Sequence, residues 1–320
     1  MEMRRMGRTG LKVSAICFGG NVFGWTVDEA KSFEILDCFL ELGGNFIDTA
    51  DAYSTWVPGH VGGESEVVIG NWLKERKNRD DVIIATKVAS RMGQRPNDAG
   101  LSRRHIIDGV DASLRRLQTD YIDLYQAHWD DKETPLEETM RAFDDLVKSG
   151  KVRYIGASNY SAWRLTKALW TSDKYNLNRF ECLQPVYNLV KRDEYERELE
   201  PLCLSEGVGV ITYSSLASGF LSGKYGKNKE KPGTPRAQAV ERRYMHAKGF
   251  EVLEAVEKVA EQYSATPSQV AIAWILARPS ITAPIASTTG IEQTKELIGS
   301  LDLKLSAETI AELDKASMWS

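Results

Sequence analysis

Six consecutive β-rich runs in this chain each hand over to a polar or ionisable side chain. The run at 45–48 ends in Asp48, with Tyr53 shortly after it. Lys87 closes the run at 82–86, and His128 follows the run at 121–126. Ser158 and Asn159 follow 152–156, Gln184 lies within 182–186, and Tyr213 and Ser214 follow 208–212. Singly, each has a structural explanation. An Asp after a strand caps a turn, a His sits satisfied in a core, a Lys snorkels to solvent, and a Tyr packs. Delivered by six successive strands, they form the pattern of an active-site rim, because barrel chemistry sits at the C-terminal ends of the strands. Lys87 could serve as the nucleophile of a Schiff-base lyase or aldolase, but a salt bridge to Asp48 would keep it charged and poorly nucleophilic. Metal-assisted hydrolysis fits less well. The four histidines, His60, His105, His128 and His246, are far apart and form no His-x-His pair.

The elements needed to position such a rim are legible. Short apolar runs at 14–18, 45–48, 82–86, 121–126, 152–156, 182–186, 208–212 and 282–286 alternate with helical patterns, as in parallel α/β folds. A helix is expected from about Asp28, with Phe33, Leu36 and Leu40 on one face and Gly43–Gly44 stopping it. Ser102 opens another, with Ile106, Val110, Leu114 and Leu117 at helical spacing. Thr134-Pro135-Leu136-Glu137 and Thr266-Pro267-Ser268-Gln269 read as capping boxes, and Ser161 as a further cap. The stretch at 218–247, rich in Gly, Lys, Pro and Arg, reads as irregular and is too long for a simple connection. Eight strands with helices between them and no linker predict one domain over 1–320, a (β/α)8 TIM barrel. The prefix at 3–10 would form a short N-terminal hairpin closing one end.

Composition narrows the function classes. The chain has 320 residues, 42% hydrophobic and 27% charged, with a net charge of −4, which is ordinary globular composition. Its Arg pairs, 103–104 and 115–116, fall inside amphipathic patterns, so a nucleic-acid partner is not expected. No apolar run reaches membrane-spanning length and no clean signal peptide is visible, so a cytoplasmic protein without a membrane partner is expected. Cys17, Cys38, Cys182 and Cys203 are scattered among apolar neighbours and read as buried free thiols, with no metal site.

At these residues the chain resembles the aldo-keto reductases along essentially its whole length. The similarity is carried by Gly44-Asn45-Phe46-Ile47-Asp48-Thr49-Ala50-Asp51-Ala52-Tyr53, by Ile84-Ala85-Thr86-Lys87 and by Asp123-Leu124-Tyr125-Gln126-Ala127-His128. Gly156-Ala157-Ser158-Asn159, Gln184-Pro185-Val186-Tyr187-Asn188 and Tyr213-Ser214-Ser215-Leu216, with Gly219 and Gly223-Lys224-Tyr225, continue it in order. The resemblance implies reversible hydride transfer between a nicotinamide cofactor and an aldehyde or ketone, and a catalytic tetrad of Asp48, Tyr53, Lys87 and His128. Tyr53 would donate the proton. A phenol titrates near 10, and a close ammonium from Lys87 would lower that value. Asp48 would pair with Lys87, and His128 would orient the carbonyl.

The resemblance also implies an extended cofactor on the rim, consistent with the lack of a Gly-x-Gly-x-x-Gly fingerprint. Ser158, Asn159 and Gln184 would hold the carboxamide and Tyr213 would stack on the ring. Ser214, Leu216, Gly219 and Lys224 would flank the pyrophosphate. Ala286, Ser287, Thr289, Gln293 and Glu296 would surround the adenosine phosphate. Three positions depart from the family. Ser287-Thr288-Thr289 stands where many relatives carry an Arg or Lys against the 2′-phosphate, so NADP(H) is the expected cofactor with NAD(H) an alternative. Leu297 replaces a common adenine-contacting Asn, and Ser215 a common Pro. Trp25, Trp56 and Trp129 could wall an aromatic pocket for a small-molecule carbonyl substrate. Because the family includes channel β subunits, a regulatory, cofactor-sensing subunit is the alternative to an enzyme.

Overall fold

The computed structural model describes residues 1–226, 233 and 237–319. Strands β1 (Met3–Arg5) and β2 (Lys12–Ser14) form an antiparallel hairpin with Met3 opposite Ser14. Eight parallel strands follow: β3 (Cys17–Gly19), β4 (Phe46–Asp48), β5 (Ile83–Val88), β6 (Ile122–Ala127), β7 (Val152–Ser158), β8 (Phe180–Gln184), β9 (Gly209–Thr212) and β10 (Ala283–Ala286). They close in the order β10-β3-β4-β5-β6-β7-β8-β9. This is the expected (β/α)8 barrel with its hairpin. The first barrel strand starts later than its apolar run suggests, because Ser14 is already paired with Met3 in the hairpin. Its hydroxyl then donates to the Ile16 carbonyl, turning the chain before Cys17.

The helices are α1 (Glu29–Glu41), α2 (Glu64–Arg76), α3 (Arg103–Leu117), α4 (Leu136–Lys148), α5 (Ala162–Tyr175), α6 (Asp193–Glu196), α7 (Leu199–Glu206), α8 (Ala237–Tyr244), α9 (Ala247–Gln262), α10 (Pro267–Leu276), α11 (Ile291–Gly299) and α12 (Ala307–Ala316). Asp28 caps α1 by accepting from the Lys31 amide, and Thr266 with Gln269 forms the capping box of α10. The box expected at 134–137 does not form. Asp131 captures the Thr134 hydroxyl at 2.7 Å, Pro135 takes the cap position, and Glu137 pairs with Arg141. Ser161 stands at the cap of α5 without a side-chain bond. The stretch at 218–247 is only partly irregular, since it contains α8; residues 227–232 and 234–236 lie outside the described residues.

Two apolar layers follow from strand alternation. Cys17, Phe46, Ala85, Leu124, Cys182, Ile211 and Ala283 point into the barrel, and Met6 and Val13 of the hairpin region complete this core. Outward residues such as Phe18, Ile84 and Tyr125 pack against helix residues including Trp72, Phe143 and Trp274. The interior is therefore filled by side chains at the hairpin end, and the open space lies at the opposite rim. All four cysteines are free and buried. No helix among the described residues is long and apolar enough to cross a membrane. None of them forms a cluster of three or more His, Cys, Asp or Glu suited to a metal ion.

Candidate active site

Asp48 is the last residue of β4, where it pairs with Ala85, and Lys87 lies two residues further along β5. Both side chains are out of contact with solvent. The Lys87 ammonium donates to Asp48 Oδ2 at 2.7 Å, to the Thr49 carbonyl at 2.7 Å and to the Tyr53 hydroxyl at 2.9 Å. All three of its donors are thus engaged, which disfavours a Schiff-base role. The Tyr53 hydroxyl in turn donates to Asp48 Oδ2 at 3.1 Å. The other carboxylate oxygen, Oδ1, receives the amides of Gln184 at 2.8 Å and Gln126 at 3.4 Å. A buried ion pair with its remaining lone pairs satisfied is the arrangement that tolerates burial.

The phenol of Tyr53 is pushed well above its usual range, first by burial and then by the neighbouring Asp48 carboxylate. The net shift is therefore upward, not downward as expected from Lys87 beside it, and Tyr53 is protonated in the resting site. His128, one residue past β6, is lowered to about 3, by burial and then by Lys87. Its imidazole is therefore neutral at physiological pH. Its Nδ1 is buried without a hydrogen-bond partner. The ring is 6.2 Å from that of Tyr53 and stacks on Trp129 at 5.4 Å. A protonated phenol beside a neutral imidazole can hold one oxygen atom from two directions.

These two groups face a cleft of about 370 Å³ at the C-terminal rim. Of the residues singled out by sequence, Tyr53, His128, Ser158, Asn159, Gln184, Tyr213, Ser214, Leu216, Gly219, Ala286, Ser287, Trp56 and Trp129 line it. Asp48 and Lys87 lie behind Tyr53. Trp25 stands outside the lining but packs edge-on against Trp56 at 5.6 Å. Lys224 is exposed. Thr289, Gln293 and Glu296 also stand outside the lining: the Thr289 amide and hydroxyl donate to Gln293, and Glu296 accepts from Thr266 across to α10.

The cleft's polar groups are mutually held. Asn159, in a left-handed conformation, donates to the His128 carbonyl at 2.9 Å and accepts from the Tyr213 hydroxyl at 2.8 Å. Ser158 donates to the Gln184 carbonyl at 2.8 Å. Sequence reasoning missed Asn21, which lines the cleft and accepts from the Ser287 hydroxyl at 2.5 Å. The signal was available: Asn21 follows β3, so the strand-end rule applies to it as to the others. Gln126 was also missed: it closes the run at 121–126, but His128 stood in as that strand's rim residue.

The described geometry agrees with the comparisons. The Aldo/keto reductase family matches residues 15–318. The chain is 38% identical to the uncharacterized oxidoreductase YrpG of Bacillus subtilis, over 98% of this chain and 95% of that one. It is 36% identical to a putative voltage-gated potassium channel subunit beta of Schizosaccharomyces pombe, over 98% and 93% of the two chains. It is 34% identical to versiconal hemiacetal acetate reductase of Aspergillus parasiticus, over 98% and 96%. The chain belongs to the aldo/keto reductase family.

Proposed function

We propose that this protein is an NADP(H)-dependent oxidoreductase that interconverts small-molecule aldehydes or ketones and their alcohols, with Tyr53 as the general acid. The observation that carries the reading is the contact of Asp48, Lys87 and Tyr53 within 3.1 Å at the floor of the rim cleft. The cleft fits a nicotinamide cofactor. It presents the ring of Tyr213 as a stacking surface, hydroxyls at Ser214 and Ser287 and the amide of Asn159, in a space of about 370 Å³. A bound reduced nicotinamide supplies the hydride.

Ser158, Asn159 and Gln184 would hold its carboxamide. For Asn159 that means exchanging the Tyr213 hydroxyl for a ligand donor, and for Gln184 using the amide oxygen left over from its bond to Asp48. Tyr53 holds a proton at its hydroxyl, donated at rest to Asp48 Oδ2, and in turnover it would turn to the oxygen that becomes an alkoxide. Lys87 stabilises the phenolate left when that proton leaves, and Asp48 keeps the ammonium in place. The neutral His128 supports the carbonyl oxygen without competing as an acid. Trp56 and Trp129, each about half exposed at the cleft, would contact the substrate. Leu216, Gly219 and Lys224 are assigned to the pyrophosphate side, and Ala286, Ser287, Thr289, Gln293 and Glu296 to the adenosine side. With hydroxyls rather than a cation at 287–289, NAD(H) use stays within the proposal.

A second reading, a slow cofactor-sensing regulatory subunit, is favoured by the relative named as a channel subunit beta. Titration with NADPH and NADH, followed by an aromatic aldehyde, separates the two. Aldehyde-dependent oxidation supports the enzyme; tight binding with no turnover supports the subunit; binding of neither cofactor contradicts both.

A further inference from the structure

Directly behind Lys87, on the outer face of the barrel, lies a polar cluster that the proposed chemistry does not use. Asp51 is 1% exposed, and its carboxyl oxygens have no side-chain hydrogen-bond partner. Glu66 of α2 is fully buried beside it, accepting from the Thr86 hydroxyl of β5 at 2.5 Å and from the Arg116 guanidinium of α3 at 2.6 Å. The hydroxyl of Tyr125, on β6, is likewise buried without a partner. The cluster thus has two carboxyls and one guanidinium, because the Lys87 ammonium is committed to Asp48, Thr49 and Tyr53 on the inner face. Were both carboxyls ionised, one negative charge would be left out of water without a partner, an arrangement that a buried acid avoids by keeping its proton.

The cluster sits at the base of the loop that carries Tyr53 and Trp56. At the loop's entry the Asp51 amide points to the Lys87 carbonyl at 3.4 Å. At its exit Gly62, with φ +94°, crosses so close to Asp51 that a Cβ there would lie 2.9 Å from the Asp51 carbonyl oxygen. Gly63, with φ +88°, packs directly on the Arg116 side chain. Entry and exit therefore meet on Asp51 and Arg116.

We propose that Asp51 is a positioning residue for Tyr53: its main chain ties together the entry and exit of the loop that delivers the phenol to Lys87, and its buried carboxyl stays uncharged so that this base holds. This rests on the reading of Tyr53 as the proton donor, but its physical content can be tested without turnover. Glu66 of α2, Arg116 of α3, Tyr125 of β6 and Lys87 of β5 are the titratable and charged groups that face Asp51. Burial first and Glu66 second hold the Asp51 carboxyl well above the usual carboxylate range, against the opposing pull of Arg116, the Ala52 amide and Lys87. The sign follows. The folded state keeps a proton that the unfolded state releases near 3.9, so stability from this group is present at low pH and is lost as pH rises through the folded value. Ionisation would put the unpaired charge at the loop base and loosen residues 52–63.

The test compares wild type with Asp51→Asn, which keeps the shape and cannot ionise. Infrared spectra at neutral pH should show a protonated-carboxyl carbonyl band that the variant lacks. Amide exchange of 52–63, corrected for its intrinsic pH dependence, should accelerate at alkaline pH in wild type and not in the variant. In turnover, the alkaline fall of kcat should move upward in the variant with KM unchanged. An identical infrared spectrum, or loop exchange that responds to pH equally in both proteins, would overturn the proposal. Should Asp51→Asn not fold, Glu66→Gln removes the nearest like charge. The pH at which the band fades should then fall below that of wild type, and an unshifted or raised midpoint would contradict the assignment. Absence of turnover in wild type with the band and exchange results intact would reject the role of Tyr53 and leave the neutral anchor standing.

Discussion

The two sides of the rim are built on different principles. On the side of β4 to β6, Asp48, Lys87 and Tyr53 form a closed network in which every donor of the ammonium is spent and both carboxylate oxygens are occupied. Charge is buried there, so geometry is over-determined. On the side of β9 and β10, the polar groups in and behind the lining are mostly neutral hydroxyls and amides that satisfy one another: Ser287 with Asn21, Thr288 with Thr294, Ser215 with the Ile285 carbonyl. The chain between these strands takes left-handed turns at Ser214, Ala217 and Ser218, held in part by Asn188 on the Ser214 carbonyl. Under the proposed function, chemistry would fall on the side where a misplaced charge is costly, and cofactor contacts on the side where partners can be exchanged at small cost.

Mutations can break this comparison in order of size. Tyr53→Phe should lower kcat by about 10²–10⁴-fold, the usual worth of a positioned acid, with little change in cofactor affinity; steady-state kinetics and a binding titration check both halves. Lys87→Met leaves Asp48 buried and unpaired, and denaturant melts should show a loss of about 3–5 kcal/mol. Adding Asp48→Asn should recover part of it, which a strictly additive pair would not do. His128 gives a pH test. Its folded value of about 3 lies below the ordinary imidazole value, so the unfolded state takes up a proton first as pH falls through about 6.5. Stability should therefore decline with acidification across that window, and His128→Gln should flatten the decline in Tm against pH. The smallest effect belongs to the other side. Ser287→Ala removes one neutral hydrogen bond and should weaken NADPH binding by less than about tenfold, with kcat unchanged.

Much of this was legible in the sequence because it depends on local rules. Strand runs separated by helical patterns gave the barrel, and the strand-end positions of Asp48, Lys87, His128, Ser158 and Tyr213 gave the rim. What was hidden depends on contacts between distant segments. Asp131 taking the Thr134 hydroxyl cancels a capping box that local spacing predicts. The protonated state of Tyr53 follows from burial and from the Asp48 carboxylate, which residue types alone leave open. Gln126 meets Asp48 only because β5 and β6 pair in a particular register, with Lys87 opposite Gln126. The cluster of Asp51, Glu66 and Arg116 draws on a loop, α2 and α3, and no spacing in the sequence announces it.

The most direct measurement follows the hydride itself. NADPH deuterated at the transferring position is incubated with the protein and an aromatic aldehyde, and the alcohol is examined by mass spectrometry. An alcohol carrying one deuterium is expected, formed by wild type and nearly abolished in Tyr53→Phe. An alcohol without deuterium, or tight NADPH binding with no alcohol formed, would contradict the proposed function.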